Sequence, residues 1–185
     1  AGNGYLAGGG RRCNPALGVE VIPTCSDTHR YPISMHDGDT ASLVWIGASS
    51  TLQGLERIRP ILEAVGRAVP NVQFRQICDR FLRFDPLPVI ETPWTEATET
   101  TSLASSDIGI SWIPDDPWSR GKCGLKVLQY MAAGLPVIAN PVGVHPEMIT
   151  NSYNGFLVNS ADEWIDAVRT LASDPSLRRR MGAAG

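Results

Sequence analysis

Long apolar runs, paired cysteines and an excess of one charge are all missing from this sequence. No apolar run approaches the roughly 18 residues that a membrane-spanning helix needs, and no signal-peptide pattern opens the chain. The four cysteines form no Cys-x-x-Cys pair and the three histidines are dispersed, so we expect no disulfide framework and no metal site. The cysteines are predicted to be packing residues of a soluble, cytoplasmic protein.

The charge balance excludes a second group of functions. The 185 residues include 16 Lys and Arg and 19 Asp and Glu, which gives a formal net charge of −3. Such a chain has no overall field to concentrate nucleic acid or an anionic membrane, so we expect no nucleic-acid partner. A site for an anionic ligand must therefore be local. With 43% hydrophobic residues, the chain can bury one substantial core.

From about residue 41 onward, short β-branched apolar runs alternate with longer stretches at helical spacing. This alternation is typical of a parallel sheet with crossover helices. We therefore predict an α/β fold with a Rossmann-like parallel sheet of six strands and helices on both faces. The predicted strands are Leu43–Gly47, Val72–Ile77, Pro88–Ile90, Asp107–Trp112, Pro136–Ala139 and Gly155–Val158.

Apolar residues at three- and four-residue steps predict the helices. Pro60 lies inside the first of these stretches and predicts a kink or a late helix start. Ser160 and Glu163 have the spacing of a capping box. The run Arg178–Arg180 is expected to lie mostly in water. The apolar stripes are Leu55–Val65, Leu125–Ala133, Trp164–Leu171 and Leu177–Met181.

The segment before residue 41 has a different pattern. A helix near Tyr5–Arg12 is weakened by three consecutive glycines, and a strand is expected at Val19–Ile22. The stretch Pro23–Thr40 is rich in Pro, Asp, Ser, Thr and His without periodicity, so we predict a linker there. The expected partition is the remnant of one domain at 1–24, a linker at 25–40 and a complete second domain at 41–185.

Two junctions have residues suited to an anion beyond the carboxyl ends of the strands. The first passes from strand to helix through Ser49, Ser50 and Thr51. These small hydroxyl residues let the backbone approach a phosphate, and they would equally cap a helix. Both interpretations stay open.

The second junction, Asp115–Leu125, runs into a helix that carries Lys126 and Gln129. Arg120, Lys122 and Lys126 put three cations within seven residues at a helix start, where the helix dipole disfavours cations. Lys122 and Lys126 are one turn apart on one face, and Gln129 follows by three positions. We predict that an anion binds there. The alternative is that Arg120 and Lys122 pair with the two aspartates that precede them.

The stretch GKCGLKVLQYMAAGLPVIANPVGVHPEMI, followed by NGFLV, resembles the donor-binding segment of retaining GT-B glycosyltransferases of family four. The resemblance spans about residues 41–185. It implies the C-terminal, nucleotide-sugar-binding half of a GT-B fold, in an enzyme that moves a sugar from a nucleotide-diphosphate sugar to an acceptor with retention. The matching residues are Gly124, Leu125, Met131, Ala132, Gly134, Pro136, Val137, Gly143, Glu147, Asn154 and Gly155.

The sequence departs from that family in its charged residues. Gly121 and Gln129 stand where the family carries its two signature glutamates, the second of which typically bonds the nucleotide ribose. An amide can partly fill that role, whereas Gly121 cannot replace a carboxylate. The basic residues that relatives place after the first strand are missing from 48–54. We therefore expect Lys122 and Lys126 to bind the diphosphate instead.

The resemblance implies further parts of the donor site. The amides of Gly124 and Leu125 would complete the anion site, and Trp94 would lie near the base, although packing would explain Trp94 equally well. Glu147, and His145 before it, would face the sugar pocket.

The resemblance also implies partners. Pro23, Thr24 and Asp27 are similar to an interdomain connector, so the missing N-terminal domain would bind the acceptor and associate peripherally with a membrane. No cofactor is expected beyond the nucleotide-sugar donor. Two alternatives are a nucleotide-sugar epimerase, which shares the GT-B fold, and a noncatalytic nucleotide-binding module that has lost activity.

Overall fold

The computed structural model describes residues 1–16 and 18–185. Six strands form one sheet in which every pair of neighbours is parallel, as predicted. They are β1 (Ala41–Ile46), β2 (Val72–Cys78), β3 (Val89–Pro93), β4 (Ile108–Ser111), β5 (Val137–Ala139) and β6 (Gly155–Leu157). Their order in the sheet is β3-β2-β1-β4-β5-β6. The order reverses between β1 and β4, which opens a crevice at the carboxyl ends of these two strands.

Helices cover both faces of the sheet. Pro60 lies in the first turn of a helix that begins at Arg59, where its missing N–H leaves no bond unmade. A separate short helix at Gln53–Arg57 precedes it, so the predicted stretch is divided into two helices just before this proline. The capping box of Ser160 and Glu163 is also present. The helices are α1 (Gly4–Cys13), α2 (Gln53–Arg57), α3 (Arg59–Ala68), α4 (Glu99–Ala104), α5 (Pro117–Arg120), α6 (Leu125–Ala132), α7 (His145–Met148), α8 (Ala161–Ser173) and α9 (Pro175–Ala184).

Alternate residues of β1 enter two separate cores. Leu43 and Trp45 pack with residues of α3 and α8 on one face, whereas Val44 and Ile46 pack with α4 and α6 on the other. Both faces are buried, which explains why the strand is apolar throughout. Each fully buried side chain of this size contributes about 1.5–3 kcal/mol of hydrophobic free energy. The central strand is therefore a rigid base for the loop that follows it.

The N-terminal segment differs in part from its prediction. Helix α1 forms, with Asn3 as its N-cap. The strand predicted at Val19–Ile22 is wrong, because residues 18–22 have no regular structure. Ile22 donates its amide to the Ala1 carbonyl oxygen (2.8 Å) and is 72% exposed, so the segment has no sheet to join. Packing roles for Cys13 and Cys25 are also wrong, since both are exposed.

A buried cluster around Asp107 holds residues 34–36 against the part of the chain that forms the sheet. Both ring nitrogens of His36 face acceptors, with Nδ1 3.0 Å from Asp107 Oδ1 and Nε2 2.9 Å from the Gly134 carbonyl oxygen. Ser34 donates to the Ser106 carbonyl oxygen (2.6 Å). The partition into residues 1–24, 25–40 and 41–185 stays a prediction, although these contacts tie part of the expected linker down.

The expectation that Arg178 lies in water is wrong. Arg178 is 1% exposed, donates to the Leu171 carbonyl oxygen (2.7 Å) and lies 3.3 Å from Asp107 Oδ1. It shares a helix face with buried Met181, three positions later, which explains its orientation. Arg179 and Arg180 are exposed, as expected. Burial raises the pKa of Asp107, but the His36 hydrogen bond, the Ser42 amide and the Arg178 charge outweigh it and hold that pKa below its usual value.

Candidate functional site

A cleft of about 970 Å³ lies at the carboxyl ends of β1, β2 and β4, beside the reversal in strand order. It receives side chains from the loops after the strands and from α2, α4 and α6. This is the place at which open α/β sheets bind their ligands. The side chains discussed below that line it are Trp45, Ser50, Thr51, Arg57, Asp79, Trp94, Glu99, Lys122, Lys126, Gln129 and His145.

Lys126 is a partly buried cation in the wall of this cleft. Its Nζ lies 5.2 Å from the centroid of the Trp45 ring, a cation–π distance. Burial, together with the nearby charge of Lys122, lowers the pKa of Lys126 to about 8. Within residues 1–16 and 18–185, no carboxylate oxygen comes within 4.0 Å of either lysine. The free energy that this cation costs the fold would be offset by an anionic ligand.

The alternative that the cations merely pair with aspartates is confirmed for Arg120 alone. Arg120 makes two hydrogen bonds to Asp115, at 2.6 and 2.9 Å, and does not line the cleft. Asp116 caps α5 by accepting from the Ser119 amide (2.7 Å). Lys122 remains turned to the cleft. The chain contains two lysines, and both are at this site.

Gly124 caps α6 in a conformation that requires glycine. Its φ is +72°, and a Cβ there would lie 2.6 Å from Met148 Sδ and 2.9 Å from Val144 Cγ2. No side chain caps the amides of the first turn of α6. These amides point out of the helix start beside the lysines, and the Leu125 side chain is 49% exposed. The predicted anion site therefore has unpaired N–H donors as well as cations.

The first junction is occupied by a carboxylate. Asp79, directly after β2, accepts from the Ser49 amide at 2.7 Å. Hydrogen bonds from the Ser49 side chain and amide lower the pKa of Asp79 to about 2. Thr51 donates its hydroxyl to the Ala48 carbonyl oxygen (2.8 Å), and with Ser50 it lines the cleft. An ionised carboxylate beside the Ser49 amide repels phosphate, which favours the second junction as the phosphate site.

Gln129, Glu99 and Trp94 form a hydrogen-bonded cluster in the cleft wall. Gln129 Nε2 donates to Glu99 Oε1 (2.8 Å), and Trp94 Nε1 donates to Glu99 Oε2 (2.7 Å). Gln129 is 8% exposed, whereas Trp94 is 49% exposed. Trp94 is therefore available for contact with a ligand rather than buried as a packing residue.

The two residues expected at the sugar pocket have different positions. Glu147 is exposed and lies in a neighbouring hollow of about 250 Å³, outside the cleft. His145 lines the cleft but is 2% exposed. Its Nδ1 donates to the Asn140 carbonyl oxygen (2.8 Å), so Nε2 accepts from the Ser111 hydroxyl (3.1 Å). Burial lowers the pKa of His145. His145 is therefore a neutral histidine whose two ring nitrogens are both hydrogen-bonded within the fold.

Known proteins similar to this chain are glycosyltransferases. Residues 117–185 match the family glycosyl transferases group 1. A D-inositol 3-phosphate glycosyltransferase from Kribbella flavida is 38% identical over 63 residues, which are 33% of this chain and 15% of that protein. Sulfoquinovosyl transferase SQD2 from Arabidopsis thaliana is 24% identical over 169 residues, which are 86% of this chain and 32% of that protein.

The fold likeness extends over nearly the whole chain. A crystal structure of a mutant of S. aureus TarM in complex with fondaparinux, alpha-GlcNAc-glycerol and UDP has a TM-score of 0.76 at 14% identity. The structural match covers 98% of this chain and 38% of the TarM chain. The predicted Rossmann-like domain of a GT-B fold is therefore confirmed. The chain spans about a third or less of the length of the two curated relatives named above.

The group 1 match includes Lys122, Lys126 and Gln129 and begins after the first junction. Sequence reasoning missed three charged side chains of the cleft: Arg57, Asp79 and Glu99. Asp79 had a usable signal, because it directly follows a predicted strand. Arg57 and Glu99 had none, since they lie on helices whose orientation toward the cleft depends on packing.

Proposed function

We propose that this chain is the nucleotide-sugar-binding part of a glycosyltransferase, which moves a sugar from a nucleotide-diphosphate sugar to an acceptor. The observation that carries the proposal is Lys126, a desolvated cation without a counter-ion among the described residues, in a cleft at the reversal point of the sheet. The group 1 match over residues 117–185 and the names of the relatives support the reaction class.

In this proposal the donor's diphosphate binds Lys122, Lys126 and the amides of Gly124 and Leu125. The ribose lies beside Gln129, one helical turn further along α6. The UDP in the TarM structure supports a nucleoside diphosphate as the ligand class. Ser50 and Thr51 of the first junction then contribute to the cleft wall rather than to the phosphate site, whereas Glu147 lies outside the cleft.

The lysines would act on the leaving group. When the bond between sugar and diphosphate breaks, negative charge grows on the diphosphate, and two fixed cations with helix-start amides stabilise it. Acceptor binding and the remaining catalytic groups are assigned to a further domain, since the chain spans 32% of SQD2. Retention of the anomeric configuration, a cytoplasmic location and peripheral membrane association of that further domain stay predictions. The described helices include none long and apolar enough to cross a membrane.

Isothermal titration with UDP, GDP and ADP tests the proposal. We expect the wild-type chain to bind one of the three. Lys122→Ala and Lys126→Ala should each weaken that binding by roughly ten- to a hundredfold, because each removes a charge-assisted hydrogen bond worth about 1.5–3 kcal/mol. Arg179→Ala, which removes an exposed cation outside the cleft, is the matched control and should bind like wild type. Unchanged binding in both lysine variants, with loss of binding in Ser49→Ala or Thr51→Ala, would move the diphosphate to the first junction.

A further inference from the structure

The carboxylate of Glu99 is held on the cleft wall by two side chains. Glu99 is the first residue of α4, whereas its two donors, Trp94 and Gln129, come from the residue directly after β3 and from α6. The two hydrogen bonds, at 2.7 and 2.8 Å, use one acceptor position on each carboxylate oxygen. Three elements of the fold thus fix both the place and the orientation of this group.

The two donors leave the carboxylate unsatisfied in charge and in hydrogen bonds. The indole and amide are both neutral, and no Lys, Arg or His nitrogen of the described residues lies within 4.0 Å of Glu99. An ionised carboxylate has about four acceptor positions, so each oxygen of Glu99 keeps one that is free. A ligand group that fits these two free acceptor positions has two adjacent neutral hydrogen-bond donors, as a vicinal diol does.

The spacing along α6 places this carboxylate next to the proposed diphosphate. Gln129 follows Lys126 by three positions, which is a rise of about 4.5 Å along the helix. That rise is about the size of one sugar ring. If the phosphates bind Lys126, the part of the ligand beside Gln129 and Glu99 is therefore the group joined directly to the phosphates. A phosphate itself is repelled from Glu99. The base is further along the nucleotide, in the direction of Trp94.

We propose that Glu99 accepts hydrogen bonds from the 2′ and 3′ hydroxyls of the donor's ribose and makes the cleft selective for ribonucleotides. Gln129 and Trp94 act as positioning residues, since each holds one carboxylate oxygen. This inference rests on the proposed function, and it adds a carboxylate from α4 to a site that would otherwise contact the ribose through Gln129 alone.

The test compares three probes on the wild-type chain and on Glu99→Gln by isothermal titration. The probes are UDP, 2′-deoxy-UDP and inorganic pyrophosphate. If wild type prefers GDP or ADP, that nucleotide and its 2′-deoxy form replace the uridine pair. Wild type should bind UDP about tenfold more tightly than 2′-deoxy-UDP, and Glu99→Gln should lose most of that preference. The affinity of the Glu99→Gln variant for pyrophosphate should equal or exceed that of wild type, because the variant removes a nearby negative charge.

A matched control is Glu96→Gln. Glu96 lies outside the cleft, its side chain is 84% exposed, and its contact with Arg30 is long, at 3.9 Å. This variant should keep the affinities of wild type for all three probes. If Glu99→Gln does not fold, as judged by circular dichroism, Glu99→Asp, which draws the carboxylate back by one methylene, replaces it and should lose the same preference.

The outcomes separate this inference from the proposed function. Equal binding of UDP and 2′-deoxy-UDP by wild type, or an equal loss for both in Glu99→Gln, would overturn the ribose assignment and leave the donor site intact. An equal loss would indicate that Glu99 contacts the base or only supports the wall. Absence of binding of UDP, GDP and ADP by wild type would instead overturn the proposed function, and this inference with it.

Discussion

The protonation of Lys126 should control nucleotide binding in an accessible pH range. Its pKa of about 8, against an ordinary value of 10.5, means that the side chain loses its charge on raising the pH from 7 to 9. Only the protonated form offers the full charge to the diphosphate. Binding of the diphosphate must therefore raise the pKa of Lys126, and the complex must take up a proton near pH 8.

The magnitude follows from the titration curve. With a pKa of about 8, roughly nine tenths of Lys126 is protonated at pH 7 and roughly one tenth at pH 9. The affinity for UDP should therefore fall about tenfold between these two pH values, up to the limit set by the contribution of Lys126 itself. Lys126→Arg keeps its charge throughout this range and should show a flat profile.

Direct measurement is simple because the chain has two lysines. Reductive methylation with ¹³C-labelled formaldehyde gives each of them one resonance, and Lys122→Arg assigns the pair. Lys126 should titrate near pH 8 without ligand and at a higher pH with saturating UDP. If Lys126 titrates above pH 10 in the free chain, it is not desolvated, and the argument that an anion offsets its burial is refuted.

The same depressed pKa has a consequence for stability. The charged form is disfavoured in the folded chain, so the free energy of unfolding should rise with pH from about 8 to 10.5. A pKa difference of about 2.5 corresponds to at most about 3 kcal/mol, from which the lost cation–π contact with Trp45 subtracts about 1 kcal/mol. Lys126→Met should therefore stabilise the fold at pH 7 by about 1–2 kcal/mol in urea unfolding, while it weakens UDP binding. If the Lys126→Met variant were less stable than wild type, the cost of burying the charge would be smaller than the contribution of the cation–π contact.

Two further substitutions test the framework around the site, each by urea unfolding. Gly124→Ala should cost about 1–3 kcal/mol, because its φ of +72° and the close Met148 sulfur both oppose a Cβ, and the nearby Gly121→Ala is a milder comparison. Arg178→Met should cost about 3–5 kcal/mol, because it removes the guanidinium that lies 3.3 Å from the buried Asp107, whereas Arg179→Met should stay within about 0.5 kcal/mol. Equal effects at the two arginines would show that the buried ion pair adds no stability.

Much of the fold could be predicted from local patterns. Apolar strands that alternate with helical stripes specify a parallel sheet, and Ser160 with Glu163 specifies a helix start, because these signals depend on neighbours in the chain. The strand predicted at Val19–Ile22 failed for the opposite reason. Its local pattern is that of a strand, but a strand needs a partner, and this segment instead contacts Ala1.

The sequence by itself determined the parallel sheet and the two lysines at a helix start, since each depends on residues close together in the chain. The strand order, with its reversal between β1 and β4, came from the tertiary structure. Only the tertiary structure decided which charges remain unpaired. Arg120 turns to Asp115, Arg178 is buried against Asp107, and Lys126 faces the cleft beside Trp45. It also brought Glu99 to Gln129, 30 positions away. Pairing and burial depend on distances across the packed fold, which periodicity along the chain does not encode.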